Sequence, residues 1–501
     1  MEVKPNKSPF TWVWIAATAM FCALFTFALI PGVSAQGAAE SNNAPAYTQA
    51  QVRNYTNIMQ QVFDYILRSY VEEVDPKVLF EGAMNGMFSA LEDPYSSFLT
   101  ESDMKDMGDT TEGRFGGVGL NITKAVTARP DGKPMWVEVV SPIEDTPGWR
   151  AGISPGDFIT EINGIATETI SMDEVLGMLR GTPGESVRLV IRRGERMEFP
   201  LTITRAIIEI PTVKHAMIGD IGYLRLITFT PFSAQRTNQA ILEFQESGYK
   251  SLILDLRNNY GGRLDAAIEV ANFFLEGGLV VRIRSRIRTE NRDFNANRNI
   301  LVPADIPVIV LINRGSASAS EIVAGALKDR GRAYLVGENT FGKGSVQQVI
   351  PFSGIGFKIT TARYFTPSDA NIDKVGIPPD REISFPEVTE EDAERLNELI
   401  NANRIPAFAA QNPQATSAQI DTFARTLERD YKLNLPLLRR LIRNELNRTT
   451  LAPVYDLEYD IQLQEAINIL RSGTYNNLMQ ESRTLRALQD EEEQNSLVLA
   501  S

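Results

Sequence analysis

The chain has 501 residues, too many for one ordinary domain, and three or four domains are expected at roughly 100–200 residues each. Apolar residues at 43% and charged ones at 23% describe a globular protein with a real core. A net charge of −13 argues against nucleic acid as the partner, and a single cysteine, Cys22, leaves no disulfide framework or cysteine-based zinc site within one chain.

Lys4 and Lys7 precede a mostly apolar run over 11–30, "TWVWIAATAMFCALFTFALI". As a helix, such a run reaches about 30 Å and spans a bilayer. Val33-Ser34-Ala35 supplies the small residues read by a signal peptidase, with cleavage after Ala35. Residues 1–35 are therefore a signal peptide or a retained anchor. Both readings send the rest of the chain to the periplasm or the outer face of the cytoplasmic membrane, because the lysines favour the inner side. Residues 36–46 form a small, polar linker.

Over 47–109 the pattern is helical, with Val52, Ile58, Met59, Val62, Ile66 and Leu67 recurring at three- and four-residue steps. The helices serve as a cap on a core or as an arm that pairs with a second copy. Residues 110–206 are short alternating runs punctuated by glycine, a small β-rich domain. Over 207–387 continuous apolar strands ("SLILDL", "IPVIVLIN", "RAYLVGE") alternate with amphipathic helices, the pattern of an α/β domain. Residues 388–501 are helical again, and the acidic run Asp490 to Glu493 reads as a solvated helix end.

The chemistry concentrates in two stretches. "IPVIVLINRGSASASEIVAGALKDRG" (306–331) runs from a buried strand through a turn into a helix, with Ser316, Ser318 and Ser320 at the junction. One helix cap needs one hydroxyl, so three are in excess. A strand-to-helix turn also lifts a nucleophile toward backbone N–H groups that stabilise an oxyanion. "GENTFGKG" (337–344) approaches a phosphate-binding loop, but Gly344 stands where that motif needs a hydroxyl for Mg²⁺. The only histidine, His215, lies outside the strands that carry the other candidates and reads as an ordinary strand or linker residue. Lysine is the other known base once desolvation makes it neutral, and Lys343 stands between Gly342 and Gly344, which let the backbone approach closely and offer no side chains to wedge the amine away.

Together "GSASASEI" and "GENTFGKGSVQQ" resemble the signature of the C-terminal processing (tail-specific) proteases, family S41 of the serine peptidases. In that family the serine precedes the lysine by twenty-five residues and a glutamine follows by four, which in this sequence gives Ser318, Lys343 and Gln347. The resemblance implies a Ser-Lys dyad of Ser318 and Lys343, with Gln347 holding the amine. It also implies a crotonase- or ClpP-like α/β protease core with an inserted PDZ domain and helical N- and C-terminal regions. "LEDPYSSFLT" (91–100) resembles the segment leading into the PDZ domain. "GGVGL" resembles the PDZ carboxylate-binding loop, which puts a substrate's C-terminus at Gly116, Gly117, Val118, Gly119 and Leu120. "LDLRNNYGG" (254–262) resembles the element whose glycine N–H helps form the oxyanion hole, here Gly261 with Ala319 as second donor; Tyr260 stands where proline is usual.

The expected activity is that of an exported serine endopeptidase acting on proteins bound by their C-termini, with no metal or organic cofactor and with self-association through the helical regions. A non-catalytic PDZ scaffold is the alternative, and a serine-reactive probe separates the two. A nucleotide hydrolase rests on the incomplete phosphate loop alone, and titration with ATP analogues tests it.

Overall fold

Strands Ser251–Asp255 and Val308–Ile312 are buried at every position, as apolar runs require when a sheet is covered on both faces. They occupy the middle of a six-stranded sheet ordered Val213–Ile218, Ile221–Leu226, Ser251–Asp255, Val308–Ile312, Tyr334–Gly337, Arg381–Glu382. The first pairing is antiparallel and the others are parallel, so the sheet is mixed. This computed structural model describes residues 48–124, 135–143, 145–194, 197–298, 300–384, 389–448 and 454–500. The apolar run at 11–30, the cleavage site after Ala35 and the linker lie outside those residues. Among the described residues no helix is long and apolar enough to cross a membrane.

Side chains alternate between the two faces of the sheet. Leu252, Leu254, Val308, Val310 and Ile312 pack with Ala240, Phe244, Ala267, Val270, Ile322 and Val323 from helices Ser233–Glu246, Leu264–Asn272 and Ala319–Asp329. Ile253, Ile309 and Leu311 face the other way, against Leu463, Ala466, Ile467 and Tyr475. That second cover comes from helices Ile461–Ser472 and Tyr475–Glu481. The Tyr475 hydroxyl donates to the Val308 carbonyl at 3.1 Å, and the Leu485 N–H donates to Asp329 at 2.7 Å. The C-terminal region therefore divides. Residues 389–448 build a core of their own around Leu399, Ile420, Leu427, Leu438 and Ile442, whereas 461–485 complete the α/β body. The acidic run Asp490 to Glu493 falls inside helix Leu485–Ala500 rather than at its end.

A buried polar cluster fastens the same region. Arg257 gives Nη2 to Asp255 at 2.7 Å and to Asp460 at 2.6 Å, and Tyr223 donates to Asp255 at 2.6 Å. Neighbouring charges hold the Asp255 carboxyl below the usual carboxylate range despite full burial, with Arg257 the chief partner.

Two further sheets frame the body. An antiparallel sheet runs Ser97–Leu99, Ile355–Phe365, Gly278–Ser285, Arg292–Ala296, with Ser345–Phe352 also paired to Ile355–Phe365. The small β-rich domain has strands Leu120–Lys124, Val137–Pro142, Phe158–Ile162, Ser186–Arg193 and Met197–Thr204 in that order, around Val137, Val139, Ile159, Leu189 and Ile191. A two-stranded ribbon of Arg114–Gly117 with Ala206–Glu209 brackets it in the chain. The described residues up to Gly82 form a separate unit. Its helix Gln49–Ser69 starts in a capping box of Thr48 and Gln51 and has no buried residue, so Val52, Ile58, Met59 and Val62 form an exposed stripe.

A chain ending before Ile461 would bare the apolar face of the central sheet. Such a truncation is expected to leave the soluble fraction on expression. Recovery of a soluble monomer that unfolds at the full-length temperature would show that the C-terminal helices are dispensable cover.

Candidate active site

Strand Val308–Ile312 ends in the turn 313–317, and helix Ala319–Asp329 begins one residue after Ser318. Three serines that local sequence left equivalent now differ. The Ser316 hydroxyl donates to the Leu256 carbonyl at 2.8 Å and accepts from the Asn313 N–H at 3.1 Å. The Ser320 hydroxyl donates to the Asn259 carbonyl at 2.7 Å. Both flanking serines are fully buried, whereas Ser318 is part-exposed. Ser318 also adopts φ 54° and ψ −111°, a conformation that costs a non-glycine residue about 1–3 kcal/mol and recurs where function needs it.

The loop after strand Ser251–Asp255 closes on this turn. The Asn259 carbonyl accepts the Ala317 N–H at 3.0 Å. Gly261 has φ 100°, and a methyl group there would lie 2.7 Å from the Ala317 carbonyl oxygen and 2.9 Å from both the Ala319 nitrogen and Ser318 Cβ. Only glycine allows that approach. The Gly261 N–H donates to Asn259 Oδ1 at 2.9 Å within its own loop, while the Ala319 N–H, first in its helix, has no intrahelical acceptor. Tyr260, at the position where proline was expected, projects outward with 77% of its surface exposed.

One residue that the sequence reading missed organises both stretches. Glu321 is fully buried. Its Oε2 accepts the Ser318 N–H at 2.8 Å and the Lys343 N–H at 2.9 Å, and its Oε1 accepts the Gly342 N–H at 2.7 Å and the Thr340 hydroxyl at 2.6 Å. Burial pushes this carboxyl up, and the four donors pull it back. The signal was present as Ser318-x-x-Glu321, the capping-box spacing ahead of an apolar helix.

The glycines beside Lys343 allow the close backbone approach expected of them, and the surface approached is 373–376. A Cβ on Gly344 would come within 2.5 Å of the Asp373 nitrogen, and one on Gly342 within 3.0 Å of the Gly376 nitrogen. They let the loop lie flat against 373–376. The Lys343 amine rests over the Tyr95 ring, 4.8 Å from its centroid. Burial, then Lys358, lowers the lysine below its ordinary value of 10.5, against Glu321 and Asp93. Among the described residues no hydrogen bond joins this amine to Ser318 or Gln347. The Gln347 carboxamide donates instead to the hydroxyls of Ser345 at 2.8 Å and Thr360 at 3.3 Å. His215 sits on the edge strand Val213–Ile218 and meets Glu243 at 2.8 Å.

In the β-rich domain, Gly116 and Gly117 lie in the ribbon strand. The buried Val118 and the adjoining Gly119 turn their carbonyls inward. Val118 accepts the Gly148 N–H at 2.7 Å, and Gly119 accepts the Ile143 N–H at 2.9 Å. Leu120 opens strand Leu120–Lys124, which is at the edge of its sheet.

Comparison with known proteins fits this arrangement. Residues 220–383 match peptidase family S41, residues 138–193 match the PDZ domain, and residues 16–103 match the N-terminal domain of the activating protease CtpB. A carboxy-terminal-processing protease of Bartonella bacilliformis is 42% identical over 331 residues, 65% of this chain and 74% of that one. The chain belongs to the carboxy-terminal-processing peptidases of family S41. This peptidase is also 37% identical to the chloroplastic carboxyl-terminal-processing peptidase 2 of Arabidopsis thaliana, over 61% of each chain. Among solved structures, a photosystem II D1 C-terminal processing protease has 30% identity and a TM-score of 0.41, with 70% of this chain and 96% of that one covered. The small domain matched as PDZ begins after the "GGVGL" loop, at residue 138.

Glu321→Gln keeps the shape but leaves one acceptor oxygen for four donors. Two buried donors without partners cost roughly 2–5 kcal/mol. The expected outcome is an earlier urea midpoint together with slowed labelling of Ser318 by a fluorophosphonate. Wild-type values for both would show that this carboxylate organises nothing.

Proposed function

We propose that this peptidase is exported, captures a protein substrate by its C-terminus in the PDZ domain, and cuts the chain with Ser318 as nucleophile and Lys343 as general base. The observation that carries the reading is Glu321. A single buried carboxylate accepts the backbone N–H of both Ser318 and Lys343, so the turn and the lysine loop are held in one frame despite twenty-five residues of separation.

In the proposed reaction, neutral Lys343 turns, still over the Tyr95 ring, to take the Ser318 proton as the oxygen attacks the scissile carbonyl. The carbonyl π electrons move to oxygen, and the N–H groups of Ala319 and Gly261 receive that charge. Gly261 must release Asn259 Oδ1 to do so. Collapse of the tetrahedral intermediate breaks the C–N bond, and the lysine ammonium gives its proton to the leaving amine. Water, deprotonated by the same lysine, then attacks the acyl carbonyl, and collapse breaks the ester C–O bond as the lysine ammonium returns its proton to the Ser318 oxygen. Gln347 steadies the amine as it turns.

Capture of the substrate is supported by the edge strand Leu120–Lys124. Among the described residues it pairs on one side only, with Val137–Pro142, so an extended peptide can add there with its terminal carboxylate toward residues 116–120. Export is supported by Lys4 and Lys7 ahead of the apolar run at 11–30 and by the small residues before Ala35. The exposed stripe of helix Gln49–Ser69 is the candidate contact for a second copy.

Ser318→Ala and Lys343→Ala should each abolish cleavage of an unfolded protein substrate while the fold persists by circular dichroism. His215→Ala should cleave at the wild-type rate; a loss of several orders of magnitude with intact folding would restore a histidine base. Because the neutral amine is the working form and burial lowers it, kcat/KM should rise with pH and level off below the ordinary lysine value of 10.5. A rate that fell steadily from about pH 6 to 9 in a stable enzyme would contradict a lysine base.

A peptide ending in a free carboxylate should bind the Ser318→Ala protein at least about ten-fold more tightly than its C-terminal amide. Equal affinities by calorimetry would remove the PDZ loop from substrate capture.

A further inference from the structure

Segment 91–100 has no part in the reaction as described, yet it delivers Tyr95 to the lysine. The delivery is rigid. The Tyr95 N–H donates to Asp93 Oδ1 at 3.0 Å, and the Ser96 hydroxyl donates to Asp93 Oδ2 at 2.5 Å while accepting the Thr360 N–H at 3.0 Å. Immediately after, Ser97–Leu99 pairs with Lys358–Gly356. The ring is thus clamped from both sides of the residue, and its face meets the Lys343 amine at 4.8 Å.

The geometry points to Tyr95 as a positioning residue that acts through Lys343: its ring face holds the ammonium form of the base, in place of a carboxylate. An aromatic face attracts a cation and gains little from a neutral amine. The contact therefore stabilises the lysine whenever it carries the proton taken from Ser318. A carboxylate would stabilise the ammonium far more and would keep the amine charged at working pH; a ring is the weaker partner that allows it to cycle.

The charged groups around the amine come from every element packed on it. Lys358 on strand Ile355–Phe365 opposes the ammonium, while Glu321 on the nucleophile helix and Asp93 beside Tyr95 favour it. Burial, then Asp373, Glu321 and Asp93, push the Tyr95 phenol above its ordinary value of 10.0, so it stays neutral.

This inference rests on Lys343 being the base, and the test separates the two. kcat/KM is measured against pH for wild type, Tyr95→Phe and Tyr95→Leu. Loss of the ring face makes the lysine a weaker base that is neutral at lower pH. In Tyr95→Leu the acid limb should move down by about one unit and the alkaline plateau should fall roughly three-fold. Tyr95→Phe keeps the face and should match wild type in both. A pentafluorophenyl ring at position 95 reverses the quadrupole with little change of shape. It should behave like Tyr95→Leu, which keeps the test open if leucine unfolds the segment. A limb that stays in place in the leucine and pentafluorophenyl proteins overturns the role of Tyr95 while Lys343→Ala remains inactive. An active Lys343→Ala protein overturns the base itself.

Discussion

The carboxylate of Glu321 is the constraint on which the site depends. A buried charge without partners is costly, so the fold must bring donors to it, and the donors it brings come from both proposed catalytic stretches. Ser318, Gly342 and Lys343 supply N–H groups and Thr340 a hydroxyl. Any displacement of the lysine loop from the serine turn would strand one of them. The close approach of Gly261 to Ala317 and Ala319 adds the third wall. The strained backbone of Ser318 persists because hydrogen bonds on both sides, from Ser316 to Leu256 and from Ser320 to Asn259, over-determine the turn.

This arrangement needs a stiff floor, and the central sheet provides one only because it is covered twice. The face under Ile253, Ile309 and Leu311 would be open without residues from more than 140 positions further along the chain, such as Leu463 and Ala466. Asp460 makes the same link in polar form, since it shares Arg257 with Asp255 at the head of the oxyanion loop. The C-terminal helices around Leu463 thus belong to the catalytic body, whereas those around Ile420 and Leu438 form a satellite with its own core.

Much of this was legible beforehand, and the exceptions share a physical origin. Buried strands such as "SLILDL" announce themselves because a doubly covered strand must be apolar throughout. Ser318 was chosen by family spacing and is set apart in the structure by exposure and backbone strain, features that a local pattern does not encode. Glu321 was overlooked because its spacing reads equally well as an ordinary helix cap; only the fold shows that its second oxygen reaches Gly342 and Thr340. The division of the C-terminal region was hidden for a related reason. Amphipathic periodicity reports that a helix has an apolar face but not which surface it meets. The glycines around Lys343 signal a close backbone approach in sequence, but only the fold shows that the partners are Asp373 and Gly376.

Lys328 and Lys343 show what distinguishes a structural cation from a proposed base. Lys328, at the far end of the nucleophile helix, is buried and ion-paired with Asp380, which also accepts the Leu335 N–H at 2.8 Å and the Ser482 hydroxyl at 2.8 Å. That pair ties helix, sheet and C-terminal region together. Lys343 has a carboxylate equally close along the backbone, but Glu321 accepts its main-chain N–H and not its amine. A carboxylate offers about four lone-pair sites, and all four of those on Glu321 are spoken for. The lysine's amine is left to burial, which favours the neutral form, and to an aromatic face too weak to prevent it. The group that fixes where Lys343 stands is therefore also kept from neutralising it, because its hydrogen-bonding capacity is spent on the frame.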